Sequence, residues 1–163
     1  MMKSLGVIMK KDVRFAIPDD FSFIYETLCE DLREQGILHR FKYSREEFKN
    51  AIFGENPLAR FLILTIDGHR AGFANFSIDF RNFTVNTLAN LYLNDLFVVK
   101  EYRRMKGATL LMEKLKAIAK SELCGRIEFF VLADNVEAFA FYKNATKSKC
   151  ISDGLHYMRL EIE

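Results

Sequence analysis

The sequence predicts an α/β protein of the α+β type, a mixed, mostly antiparallel sheet with one parallel strand pair, flanked by helices. Three observations carry that prediction. Asp67-Gly68 stands between the β-prone runs Phe61–Ile66 and Arg70–Ile78 and reads as a tight hairpin turn. The apolar runs Leu93–Val99 and Arg126–Leu132 are separated by a segment of helical period, and a helical crossover makes two strands parallel. Two further amphipathic segments precede the hairpin and supply helices for the faces of the sheet.

Each element has its own signal. Val13, Phe15 and Ile17 alternate with Arg14 and Ala16 as a first strand. Pro18-Asp19-Asp20 stops that strand and supplies an N-cap. Phe21, Ile24, Leu28 and Leu32 then form one apolar helical stripe, with Glu26, Glu30, Asp31 and Glu34 on the polar side. Ser44-Arg45-Glu46-Glu47 is a capping box opening a second helix, which buries Phe48 and Ile52 and ends before Pro57. Gly72, inside the return strand of the hairpin, predicts a bulge or a close backbone approach. Residues Asp79 to Asn90 read as a loop. Leu111, Leu115 and Ile118 mark the crossover helix, Ala133-Asp134-Asn135 turns the chain into a short helix over Val136–Lys143, and His156, Met158, Leu160 and Ile162 alternate as a last strand.

The chain has 163 residues, enough for a real core, and no repeat, low-complexity tract or linker divides it, so a single domain over 1–163 is expected. Phe occurs 16 times and Trp never, which predicts a phenylalanine-rich core. The net charge of +2 is too balanced to make nucleic acid the main partner. No run approaches the ~20 apolar residues of a membrane span. Leu5–Met9 is shorter than a signal-peptide core and no small-residue cleavage site follows it. Cys29, Cys124 and Cys150 are odd in number and lack C-x-x-C spacing, so they read as free thiols in a reducing cytoplasm. His39, His69 and His156 show no triad or metal spacing, and no metal is expected.

The stretch Leu91–Met112 carries the chemistry. A buried strand turns through Lys100-Glu101-Tyr102-Arg103-Arg104 into a helix. A basic turn before a helix N-terminus attracts anions, because the first helical N–H groups lack internal partners and the helix dipole adds positive charge. Taken alone, Arg103, Arg104 and Lys106 equally suit a solvated turn. Asp95 inside an apolar strand requires a partner, either an internal cation or a ligand.

The strand Asp95-Leu96-Phe97-Val98, the basic turn and the small-residue helix start resemble the acetyl-CoA pyrophosphate loop of the GNAT N-acetyltransferases, Arg/Gln-x-x-Gly-x-Gly/Ala. Arg103 leads that pattern, with Lys106 at the first glycine and Ala108 at the last position. A register shifted by one, Arg104-x-x-Gly107-x-Thr109, keeps the glycine and loses the end. Asn135-Val-Glu-Ala-Phe-Ala-Phe141-Tyr142 is similar to the family's Asn-x-x-Ala-x-x-Phe-Tyr segment without departure. Phe53–Pro57, Ala71–Ala74, Leu91–Asp95 and Phe141–Lys143 resemble the diamine (spermidine/spermine-type) branch, so the likeness spans most of residues 13–160.

The resemblance implies a GNAT fold whose central parallel pair splays, and acetyl transfer from acetyl-CoA to a small-molecule amine: a diamine, a polyamine or an amino-acid-like amine. It implies that backbone at Phe97, Val98 and Val99 binds pantetheine and polarises the acetyl carbonyl. Arg103, Arg104, Met105, Lys106, Gly107, Ala108 and Thr109 would hold the pyrophosphate. Tyr142 would act as general acid toward the sulfur and Asn135 would bond the coenzyme, though Asn135 equally suits a helix cap. Asp95 is assigned a catalytic and substrate-binding place, joined by Asn94, Glu30 and Asp31 on the acceptor side. The acidic helix face also fits plain solvation. A homodimer in the cytoplasm is implied. The remaining alternatives are a peptide N-acetyltransferase and a domain that binds coenzyme or a partner without turnover.

Overall fold

The computed structural model describes residues 9–81 and 87–151. Contacts divide the chain into two compact units, Met1–Phe129 and Phe130–Glu163. The first holds β1 (Lys11–Phe15), α1 (Phe21–Glu34), α2 (Arg45–Phe53), β2 (Arg60–Ile66), β3 (His69–Asp79), β4 (Ala89–Val98), α3 (Gly107–Ser121) and β5 (Cys124–Glu128). The second, over its described residues, holds α4 (Val136–Ala145).

The five strands form one sheet in sequence order, antiparallel from β1 to β4 and parallel between β4 and β5. Asp67 and Gly68, both at positive φ, make the β2–β3 hairpin. One face of the sheet carries Phe61, Ile63 and Phe73 against Phe21 and Ile24 of α1 and Phe48 and Ile52 of α2. Phenylalanine does dominate this core: Phe48 lies 6.4 Å from Phe61, and Phe61 lies 5.7 Å from Phe73, between ring centroids. α3 covers the other face with Leu111, Leu115 and Ile118 buried. Gly107 opens that helix so close to β2 that a Cβ there would sit 2.4 Å from Leu64 Cδ2.

α2 is capped as its sequence predicts, with Ser44 Oγ accepting from the Glu47 N–H and Glu47 accepting from the Ser44 N–H. Asp20 is used differently. It makes no side-chain cap; its fully buried carboxylate accepts from Arg14, Arg70 and the Ile17 N–H and ties β1, the start of α1 and β3 together. Gly72 does mark an irregularity: the β2–β3 register shifts beside it, and a Cβ there would meet the Phe97 carbonyl oxygen at 2.4 Å.

Several boundaries differ from expectation. β1 begins and ends two residues early, because Pro18 opens a short 3-10 turn capped by Ile17. In α1, Thr27 is buried and Leu28 and Leu32 only half so. The loop expected over 79–90 is shortened by strand at both ends, β3 running to Asp79 and β4 starting at Ala89. β5 stops at Glu128, short of the expected Leu132. Its last pair is Tyr92↔Glu128, and two residues further β4 is bulged, which adds twist and ends parallel pairing. The expected strand His156–Ile162 and most of the Leu5–Met9 run lie outside the described residues. No described helix is long and apolar enough to cross a membrane.

Candidate functional site

The site begins at a defect in β4. Asn75 pairs with Asp95, but Phe76 pairs with Leu93, so Asn94 is the extra residue of a bulge. Strand neighbours normally face opposite ways. Here Leu93 is buried while Asn94 and Asp95 are both exposed, and both side chains reach Asn75 of β3. Asn75 Nδ2 donates to Asp95 Oδ2 at 3.1 Å, and Asn94 Nδ2 donates to Asn75 Oδ1 at 3.3 Å. Part of Asp95 reaches solvent, yet protein atoms crowd its carboxyl. Lost hydration pushes its pKa above the usual aspartate value, the Asn75 donation opposes that, and the negative charge of Asp31 adds to it.

Asp31 therefore joins Asp95 within electrostatic reach. Burial raises its carboxyl as well, offset by the Gln35 amide at 2.7 Å, raised again by Glu34 and lowered by Arg103. Glu30, one residue earlier on α1, is turned elsewhere. It lines a cleft of about 540 Å³ with Tyr25, Glu26, Cys29, Phe41 and Tyr43. The expected pair Glu30 and Asp31 is thus divided between two faces of the helix.

Past the bulge, β4 runs from Leu93 to Val98 with β3 on one edge and no strand on the other among the described residues. That open edge is the splay the resemblance implies. Val99 N–H donates toward β3, to the Ala71 carbonyl. Arg103 Nε donates to the Val98 carbonyl at 2.9 Å, and its guanidinium lies 5.6 Å from the centre of the Phe97 ring. The Arg103 side chain is thus folded back on the strand rather than reaching forward along the loop.

The loop itself has a backbone suited to an anion. Arg104 and Lys106 are both left-handed, with φ of 64° and 63°, flanking Met105. Alternation of handedness before a helix start turns successive N–H groups to one side. Lys106 is the N-cap of α3 without a side-chain cap, in contrast to α2 and α4. The first intrahelical bond is Leu110 N–H to the Lys106 carbonyl, which leaves Gly107, Ala108 and Thr109 N–H without helical acceptors. The backbone also decides between the two loop registers. Lys106 holds the conformation that favours glycine, so it stands at the first glycine position.

In the second unit, Asn135 Oδ1 accepts from the Ala138 N–H and caps α4. Tyr142 sits in the middle of that helix, edge-on to Phe141 at 5.1 Å between centroids. Its carbonyl accepts from Thr146 Oγ1 at 2.6 Å and from the Ser148 N–H at 3.1 Å, closing the helix end.

Residues 21–145 match the Acetyltransferase (GNAT) family. The chain belongs to that family. It is 26% identical over 157 residues to the thialysine N-epsilon-acetyltransferase of Sus scrofa, covering 93% of this chain and 92% of that protein. The Mus musculus enzyme of the same name is 26% identical over 136 residues, 80% of each chain. Among solved structures, an aminoglycoside N-acetyltransferase in complex with CoA aligns with a TM-score of 0.74 over 97% of this chain and 99% of its own, at 13% identity. A probable acetyltransferase aligns at 0.75 over 93% and 98%, at 17% identity.

As a GNAT protein the chain is an N-acetyltransferase that uses acetyl-CoA. Its residues fit that donor: the open edge of β4 offers backbone groups to an extended chain, and the left-handed pair before α3 offers N–H groups to a pyrophosphate. Asn75 escaped the sequence reading. Its signal was present, an amide inside the apolar run Ala71–Phe76, as Asp95 is a carboxylate inside another.

Proposed function

We propose that this GNAT acetyltransferase acetylates the primary amine of a small cationic molecule, a diamine, a polyamine or an amino-acid-like amine. The observation that carries the reading is the Asp95 carboxylate beside the β4 bulge, held by Asn75 and made costlier to ionise by the negative charge of Asp31 on α1. Two crowded carboxylates gain most from a cation placed against them. The names of the relatives, thialysine and aminoglycoside acetyltransferases, support an amine acceptor.

Acetyl-CoA supplies an activated acetyl thioester when bound. Around it, Gly107, Ala108 and Thr109 N–H groups with Arg104, Met105 and Lys106 would hold the pyrophosphate, and the backbone over Phe97, Val98 and Val99 would engage the pantetheine, with the Val99 N–H already bonded to Ala71. Arg103 serves by bracing the Val98 carbonyl. Asp95, with Asp31, receives an ammonium of the acceptor. Asn94 lines the same face. By its motif, Tyr142 would be the proton donor to the coenzyme sulfur, and Asn135 caps the start of the helix that carries it. Glu30 would meet an acceptor through the cleft it lines with Tyr25 and Tyr43. The single-domain organisation, the cytoplasmic location and the homodimer belong to the same proposal.

Calorimetry with acetyl-CoA, followed by thiol release over a panel of amines, tests it. Binding with turnover on cationic small amines supports the reading. Binding with turnover only on a peptide amine replaces it with a peptide acetyltransferase, and binding without turnover replaces it with a coenzyme-binding domain.

A further inference from the structure

The bulge at Asn94 spends one residue of β4 to bring three polar side chains from two strands onto one face. Their hydrogen bonds have a direction. An ionised Asp95 can only accept, so the Asn75 carboxamide must present its NH₂ to it. The Asn75 oxygen then faces Asn94, which must donate. Asp95 Oδ2 is taken by Asn75, while Oδ1 has no protein donor among the described residues. We propose that Asn75 is a positioning residue for acceptor recognition: it fixes the Asp95 carboxylate so that its free oxygen receives an ammonium group of the substrate.

The charges around Asp95 require such a device. From α1, Asp31 repels it, with Glu34 adding to the charge on Asp31 and Arg103 from the loop partly offsetting that. From β3, Asn75 supplies the stabilising donor. Without that donor, lost hydration and the repulsion of Asp31 act together to push the Asp95 titration higher still, and the carboxylate loses the bond that fixes its orientation toward an ammonium. Asn94, an amide, offers its own oxygen on the same face and carries no charge to replace the one lost. The bulge, the amide and the carboxylate thus form one unit that sets preference for a cationic acceptor.

This inference rests on the proposed amine acetylation, so its test has a readout that needs no turnover. The Asp95 carboxyl carbon is assigned by its absence in Asp95→Asn and titrated by NMR in the native protein, Asn75→Leu and Asn75→Gln. In Asn75→Leu the Asp95 titration moves to higher pH, and Asn75→Gln, which keeps a carboxamide, restores at least part of the native position. In the same leucine variant, KM for a short diamine rises roughly tenfold at pH 7, as expected for loss of one hydrogen bond to a charged group. Acetyl-CoA affinity stays unchanged. Should the leucine variant fail to fold, Asn75→Ser, which shortens the side chain out of reach, carries the same expectations. An Asp95 titration identical in native and variant overturns the proposal. So does a parallel loss of diamine and acetyl-CoA affinity, which marks a purely structural role. A silent amine panel with the titration shift intact counts against amine acetylation and leaves the positioning standing.

Discussion

Asp20 shows how much one side chain can decide. Burial by itself would raise its carboxyl, but the Arg14 bond at 2.6 Å, the Ile17 N–H and Arg70 at 2.7 Å outweigh burial and hold it well below the ordinary 3.8. A carboxyl lowered by folding adds stability that is fully present above its unfolded value and is lost as pH falls below it. Asp20→Asn is expected to destabilise the protein by about 2 kcal/mol at pH 7, less than a fully buried pair because both arginines stay partly in water. The gap between variant and native midpoints in urea should narrow as pH falls below 4. The sequence suggested Asp20 only as a local cap; partners 6 and 50 residues away lie beyond any local pattern. Asp95 was legible because a carboxylate in an apolar strand is a local anomaly. Tyr142 stands out by its motif alone, and its proposed role has a simple check. Tyr142→Phe removes one hydroxyl, so acetyl-CoA affinity measured by calorimetry should hold while turnover falls ~10²–10⁴-fold. Unchanged turnover at saturating substrate would exclude it as the acid.

Among the elements, helices were easier to place than strand ends. The capping box of α2 lies within four residues, and its bonds form as written. The end of β5 depends on the β4 bulge, a feature of another strand, and no pattern inside Arg126–Leu132 announces it. The basic turn and helix start before α3 were legible, but not the cost of the backbone that joins them. Lys106 at φ 63° holds a conformation that costs a non-glycine residue on the order of 1 kcal/mol. Lys106→Gly is therefore expected to leave stability equal or higher in thermal melts despite the entropy of glycine. The same change removes a positive charge from the loop, so acetyl-CoA affinity should fall less steeply with salt than in the native protein. An identical salt slope in both would show that the lysine does not face the phosphates.

For the molecule as a whole, the order of elements was legible because hairpin, crossover and amphipathic stripes are all short-range signals that act together. The electrostatic influence of Asp31 on Asp95 was not, since it arises only when α1 packs on the sheet. One chemical consequence follows from the amide at Asn94. Asparagine has no useful pKa and cannot accept the amine proton, and Asp95 cannot both hold an ammonium and deprotonate it. For an alkylamine acceptor, with an ammonium pKa near ~10.4, the proposed reaction would depend on the scarce neutral amine. The value of kcat/KM should climb through alkaline pH with the substrate's own pKa, and Asn94→Glu should raise activity near neutrality. A profile that levels off near pH 7 would reveal a working base elsewhere.

The most direct measurement compares two acceptors of equal length, a diamine and a monoamine, by thiol release at saturating acetyl-CoA. If Asp95, backed by Asp31, receives a second ammonium, the diamine has the higher kcat/KM, and Asp95→Asn abolishes the preference while leaving acetyl-CoA affinity intact. Equal rates for the two, or a neutral or acidic acceptor that outperforms both, would contradict a site built for a cationic amine.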